Sequence, residues 1–338
     1  MTMNKRLFIL LQYLFFLALG AFFVWWSIKD IDNEKLSEIR SALENARLYL
    51  IAPVFIILLL SHYVRALRWR LLIESLGYKP AKANTFFAVM VGYLANQAVP
   101  RLGEVLKCTL LARYEKIPAD KLVGTIILER LIDAFSLLIM FGTTLAIQPG
   151  LYSQIINTIF NGGEEETNKI PGYLIGLFFI GIIVVIITFW MVIKKKNFND
   201  LRAVIKRIGI RIWQGLSAIQ HLKKRGQFIM LTLALWILYL SGGYIGFQAL
   251  HETEHYGIKE AFTVLSAGSI GMIVTPGGIG AYAYLIEATM QLYGLQQSIA
   301  VAFGWLLWLA QTVVILIGGL LSFAALPWYN KRKRAGIN

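Results

Sequence analysis

Cysteine is nearly absent. Cys108 is the sole one in 338 residues, which excludes an internal disulfide and any cysteine-based metal cluster. It is expected to be a small buried hydrophobe. Histidine is scarce too. The four (His62, His221, His251, His255) show no zinc spacing, and the i, i+4 pair His251/His255 sits in a short polar loop beside Glu252 and Glu254. No Gly-x4-Gly-Lys-Ser/Thr loop occurs, so direct use of ATP is not expected. Charged residues are few, 15% of the chain, and acids are outnumbered 19 to 33 by Lys and Arg. A formal charge of +14 would fit nucleic acid, but there is no stretch polar enough to form a soluble domain that could carry such binding. No cofactor is expected.

What is abundant is apolar. At 57% hydrophobic the chain exceeds the roughly 45–50% of soluble domains. Six segments are long enough to cross hydrocarbon, at about 7–27, 48–64, 122–147, 171–193, 228–250 and 298–326. The first reads as an uncleaved anchor, because its apolar run is too long for a signal peptide and ends in no small-x-small site. Two further apolar stretches, about 84–112 and 261–296, are interrupted by Pro and Gly: Asn96-Gln97-Ala98-Val99-Pro100-Arg101-Leu102-Gly103-Glu104 and Thr275-Pro276-Gly277-Gly278-Ile279-Gly280. Broken helices at matching places in two halves point to a transport site.

Loop charges orient the chain, since Lys and Arg concentrate on the cytoplasmic side. Of the 33 Lys and Arg, 25 fall on the side of the N-terminus, 6 on the other and 2 within the membrane; of the 19 acids, 4, 11 and 4 do. Both termini are then inside. Segment 84–112 leaves and returns on the inner side, and 261–296 on the outer side. The expected fold is an all-α polytopic membrane protein with six full spans and two re-entrant helical hairpins. It is a single integral membrane domain, 1–338, in which 48–147 and 228–326 form an inverted-topology repeat. Hydropathy equally allows each hairpin to be two short tilted spans. A basic amphipathic segment, 194–226, is expected on the inner surface, and Arg65, Arg68 and Arg70 read as positive-inside anchoring.

Five ionisable residues of the first repeat are expected within the membrane: Arg101, Glu104, Glu129, Arg130 and Asp133. Facing lipid, each would cost roughly 2.5–3.5 kcal/mol on insertion scales, so they are expected to pair or to line a wet cavity. Glu129 and Asp133 are i, i+4 and share a helix face. A network joining Arg101 to Glu129 or Asp133, and Arg130 to Glu104, satisfies them. Such a network either locks the hairpin to the helix or presents a guanidinium to an anionic head group, whose oxygens its fork matches. Asn96 and Gln97 are expected to satisfy backbone freed at the break. Pro100 and Gly103 in one hairpin, and Pro276, Gly277, Gly278 and Gly280 in the other, are the expected hinges. The N–H groups of Gly278, Ile279 and Gly280 open a helix and form a second candidate anion site. Glu287, Gln248 and Gln311 read as packing polar groups.

Gly92-x3-Asn96-x3-Pro100-x-x-Gly103-Glu104, then Glu129-Arg130-x-x-Asp133, then Pro276-Gly277-Gly278-Ile279-Gly280, together resemble the lysylphosphatidylglycerol synthase transmembrane-region family of flippase-like membrane proteins. The resemblance covers about 7–326. It implies translocation of a lipid or lipid-linked substrate in a cytoplasmic membrane, with Asn96, Arg101, Glu104, Glu129, Arg130 and Asp133 as the substrate-binding candidates. Members often have Arg where this chain has Lys107, and many carry Glu where it has Ala283; if that Glu handles a cationic head group in its relatives, the resemblance implies a different lipid here. A chain ending at Asn338 is expected to lack the aminoacyl-transferase domain and not to be a synthase. The expected partners are membrane lipids and no nucleic acid. The alternative is a membrane enzyme, or an accessory subunit of a separate lipid-modifying enzyme, acting on a lipid-linked substrate.

Overall fold

The computed structural model describes residues 5–99, 101–150 and 222–334, and among these it is all helical. Ten α-helices follow in order: α1 Lys5–Ile28, α2 Asn33–Glu44, α3 Ile51–Ser75, α4 Lys82–Ala98, α5 Leu102–Glu115, α6 Ala119–Ile147, α7 Arg225–Phe247, α8 Ile258–Val274, α9 Ala281–Leu292 and α10 Gln297–Arg334. They belong to two compact units, one of residues 1–130 with 222–338 and one of residues 131–221. The described part of the second unit is the remainder of α6 to residue 150. The expected span 171–193 and most of the amphipathic segment 194–226 lie outside the described residues.

Two described helices, α7 and α10 through Lys333, are individually long and apolar enough to cross a membrane. The segments 14–28 and 33–44 qualify only as a pair bent by 97°. Helices α3 and α6 have the length, at 25 and 29 residues, but they carry Arg65, Arg68 and Arg70 and Glu129, Arg130 and Asp133 respectively. Neither is among the described helices that qualify as spans by length and composition.

The same element order occurs twice: a long helix (α3, α7), a broken pair (α4–α5, α8–α9) and a long helix (α6, α10). Helix α8 starts and ends 176 residues after α4. Each broken pair folds back on itself as an antiparallel hairpin. In the first, Asn84 meets Glu115 at the base and Asn96 meets Gly103 at the tip. In the second, Tyr293 Oη donates to Thr263 Oγ1 at 2.8 Å at the base, while Gly271 lies against Tyr282 near the tip. Legs of 17, 14, 17 and 12 residues reach about 18–26 Å at 1.5 Å per residue, short of a hydrocarbon core of about 30 Å.

The core of the second repeat joins α7 to α10. Phe247 stacks on Phe303 at 5.3 Å, and Leu250, Ile286, Met290 and Ala300 are fully buried around them. Glu287 is buried and accepts from Ser27 Oγ at 2.6 Å and from Gln291 Nε2 at 3.2 Å. It ties α9 to α1, the packing role expected of it.

Candidate functional site

Both breaks are built the same way. A residue preceding proline is pushed out of the helical region, and both such residues are extended: Val99 at φ −135°, ψ 122° and Thr275 at φ −126°, ψ 152°. Leu102 N–H then donates back to Val99 O at 3.2 Å, and Gly278 N–H to Thr275 O at 3.0 Å. The third residue of each turn is left-handed, Arg101 at φ 65° and Gly277 at φ 61°. Proline second and positive φ third is the type II arrangement. Pro100 itself lies outside the described residues.

Arginine therefore stands in the first tip where glycine stands in the second. A side chain in the left-handed region costs roughly 1–2 kcal/mol. Gly103, expected as the hinge, is instead already helical, in α5. Its role is close approach: a Cβ there would lie 2.0 Å from Gly92 O. This contact seats α5 on α4, and Asn96 Oδ1 accepts from Gly103 N–H at 2.7 Å. Asn96 thus satisfies an N–H in the first turn of the resumed helix, as expected.

Below this tip sits the charged cluster. Glu129, on α6, is 1% exposed. Lys107 Nζ donates to its Oε2 at 2.9 Å, and Arg68 and Arg65 approach its Oε1 at 3.6 and 3.7 Å. Arg68 is itself fully buried. Arg65 also donates to Tyr239 Oη at 2.9 Å. Lys107 lies over the Trp69 ring at 4.7 Å, and Trp69 Nε1 donates to Thr125 Oγ1 at 2.9 Å. One helix turn toward the tip, Arg130 donates to Glu104 Oε1 at 2.7 Å, an ion pair more exposed than the first. The other carboxylate oxygen of Glu104 is buried without a hydrogen bond among the described residues.

The expected network is thus half right in its pairing. Arg130 and Glu104 meet. Arg101 makes no ion pair among the described residues and is exposed at the tip. Glu129 is held instead by Lys107, Arg65 and Arg68, the two arginines being ones the sequence reading placed at the inner surface. All three cations are interleaved with apolar residues, a pattern that fits an inward face shared with Trp69 and Leu72 but fits surface anchoring equally well. Asp133 lies on α6 one turn beyond Glu129, in the second unit.

Val89, Gly92, Tyr93, Asn96, Glu104 and Lys107 line a small recess closed by Arg130, with a free volume of about 10 Å³. That is about one water's worth of space. The tips of the two hairpins touch: a Cβ on Gly277 would strike Gln97 Oε1, at 1.6 Å. Gln97 therefore packs on the opposite hairpin and, among the described residues, makes no hydrogen bond to its own backbone. Trp308 Nε1 donates to Gly277 O at 2.9 Å and fixes that tip to α10. The second candidate anion site is largely spent, because Gly278 N–H and Ile279 N–H already donate to Thr275 O and Pro276 O. Gly278 and Gly280 keep positive φ, and Gly280 packs closely against α1 at Gly20 and Val24. Among the described residues no group of three or more His, Cys, Asp or Glu could hold a metal.

A UPF0104 membrane protein of Methanocaldococcus jannaschii is 26% identical over 133 residues, 38% of this chain and 36% of the relative. The chain thus aligns with about a third of that relative's length. No solved structure matches. The profile of the lysylphosphatidylglycerol synthase TM region matches residues 10–319, both hairpins and the charged cluster included. The chain belongs to that family of membrane proteins, the lysylphosphatidylglycerol synthase TM region.

Proposed function

We propose that the protein moves a phosphate-bearing lipid across a cytoplasmic membrane, its head group passing between the hairpin tips while the acyl chains stay in hydrocarbon. The observation that carries this reading is the left-handed Arg101. A strained, exposed arginine, where the matching turn uses glycine, is a side chain kept for what it contacts and not for its backbone. It sits at the tip of the hairpin whose legs α4 and α5, with Arg130, line the recess that holds Lys107.

Guanidinium and ammonium groups now occupied by Glu104 and Glu129 can exchange a carboxylate for a phosphate, both being oxygen anions of similar geometry. The recess is too small for a head group as it stands, so α5 must part from α6. The Arg130–Glu104 pair, the more exposed of the two, opens first. On this reading the hairpins are re-entrant, α4–α5 from the inner side and α8–α9 from the outer. The two element triplets are then an inverted repeat, and both chain termini are inside. The driving force is passive or ionic.

Liposomes holding purified protein and fluorescent phosphatidylglycerol in one leaflet test this. Wild type is expected to equilibrate the label. Arg101→Gly is expected to slow it at least ten-fold while leaving thermal stability equal or higher by about 1 kcal/mol, because glycine relieves the left-handed strain. Equal rates for R101G and wild type, or no translocation of any anionic, zwitterionic or polyprenyl lipid by wild type, would sink the proposal.

A further inference from the structure

Away from the charged cluster, α2 and the first turns of α10 enclose an apolar groove of about 580 Å³. Ile31, Leu36 and Ile39 line one side, and Val301, Trp305 and Leu309 the other. The volume falls in the range of small-molecule sites, about 300–1,000 Å³. The groove has a polar end. Ser298 Oγ and Gln296 Nε2 donate to Glu38 at 2.6 and 2.9 Å. Lys35 Nζ donates to Asp30 O and Gln297 Oε1 at 2.9 and 3.0 Å, which uses two of its three donors. Lys29 lies 3.6 Å over the Trp26 ring, a pairing typical of a membrane–water boundary.

Three facts identify the occupant. The groove opens along α10, one of the helices apolar enough to cross a membrane, just past the polar Gln296–Ser298 rim. Helix α2 turns by 97° from the helix before it, with Leu36 and Leu43 exposed, so it lies as an interfacial helix lies. The groove walls carry no charge, whereas the rim carries both signs: Lys29 and Lys35 against Asp30 and Glu38. An apolar trough with a wet, zwitterionic rim fits a lipid tail and does not select a head group. We propose that this groove is a resident-lipid site that holds one acyl chain of a membrane glycerolipid, its glycerol at the Lys35–Ser298 rim. The site does not depend on translocation: a protein that holds a tail here and moves no lipid would keep this site and lose the function proposed above.

The full chain in phosphatidylethanolamine/phosphatidylglycerol liposomes, with a trace of lipid carrying a mid-chain diazirine, tests it. One arm uses labelled phosphatidylglycerol and the other labelled phosphatidylcholine. Each is chased with unlabelled lipid before irradiation, and adducts are mapped by mass spectrometry. Adducts on Leu36, Ile39 and Trp305 are expected to outlast those on the exposed α7 face (Met230, Leu233, Ile237) by about ten-fold, equally in both arms. Leu36→Trp and Leu309→Trp, at exposed positions that tolerate bulk, are each expected to abolish the long-lived adducts and spare those on α7. Groove adducts that chase out as fast as those on α7, or that survive both tryptophans undiminished, overturn the site. Long-lived adducts in the phosphatidylglycerol arm alone overturn the tail-only selectivity.

Discussion

Glu129 holds three cations at once, and its removal separates their contributions. Breaking a buried ion pair by deleting one partner typically costs about 3–5 kcal/mol, because the remaining charge stays buried without compensation. Glu129→Gln is therefore expected to lower the unfolding temperature in detergent by several degrees. Adding Lys107→Met to it should recover part of the loss, whereas independent sites would give additive losses. The sequence made Glu129, Arg130 and Glu104 visible as charges inside apolar runs. It hid Lys107, Arg65 and Arg68, because each lies near the end of such a run, where the positive-inside rule already accounts for a cation. What distinguishes an anchoring arginine from a buried one is the neighbouring helix, and only packing supplies that.

At the scale of the element, the breaks were legible to within a few residues. The residue before a proline is biased out of the helical region, and that local rule marked the ends of α4 and α8, although α10 runs on through Pro327. The local rule misassigned Gly103, whose requirement comes from another helix. Gly103→Ala is expected to force α5 off α4, at about 1–3 kcal/mol, because the new Cβ meets backbone, which cannot yield. Gly92→Ala should cost less, since its nearest contact is 3.0 Å, against 2.0 Å for Gly103. Parallel denaturation of the two variants checks the order. Equal losses would mean that the hairpin is seated by something other than this glycine pair. The sharing of one turn geometry by both tips was not readable either, because Arg101 disguises a position that Gly277 marks openly.

At the scale of the molecule, the proposed topology fixes which loops share a side. In a Cys108→Ser background, single cysteines at Lys79 and Lys116 flank the first hairpin, and cysteines at Glu254 and Gln296 flank the second. A membrane-impermeant maleimide added outside intact cells is expected to label the second pair and spare the first. A hairpin that crossed as one span would split its pair, whereas paired short spans would keep both pairs together but carry the first tip across, so that a cysteine at Arg101 would label from outside. The long described helices and the two breaks were legible because apolar length and proline act locally. The pairing of charges across α3, α5 and α6 was not, because it depends on how the helices pack.

The contact of Gln97 with Gly277 has an electrical consequence. On the proposed topology, two re-entrant hairpins would bring both aqueous phases close to one carboxamide, and the transmembrane potential would drop across a thin septum instead of the whole bilayer. A head group crossing there would feel nearly the full voltage within a few ångströms, about 2.3 kcal/mol per elementary charge per 100 mV. Translocation of an anionic lipid should then accelerate or slow several-fold when a potassium diffusion potential of either sign is imposed on the liposomes, while a zwitterionic lipid should be indifferent. Identical responses of the two lipids would mean that no such focused field exists.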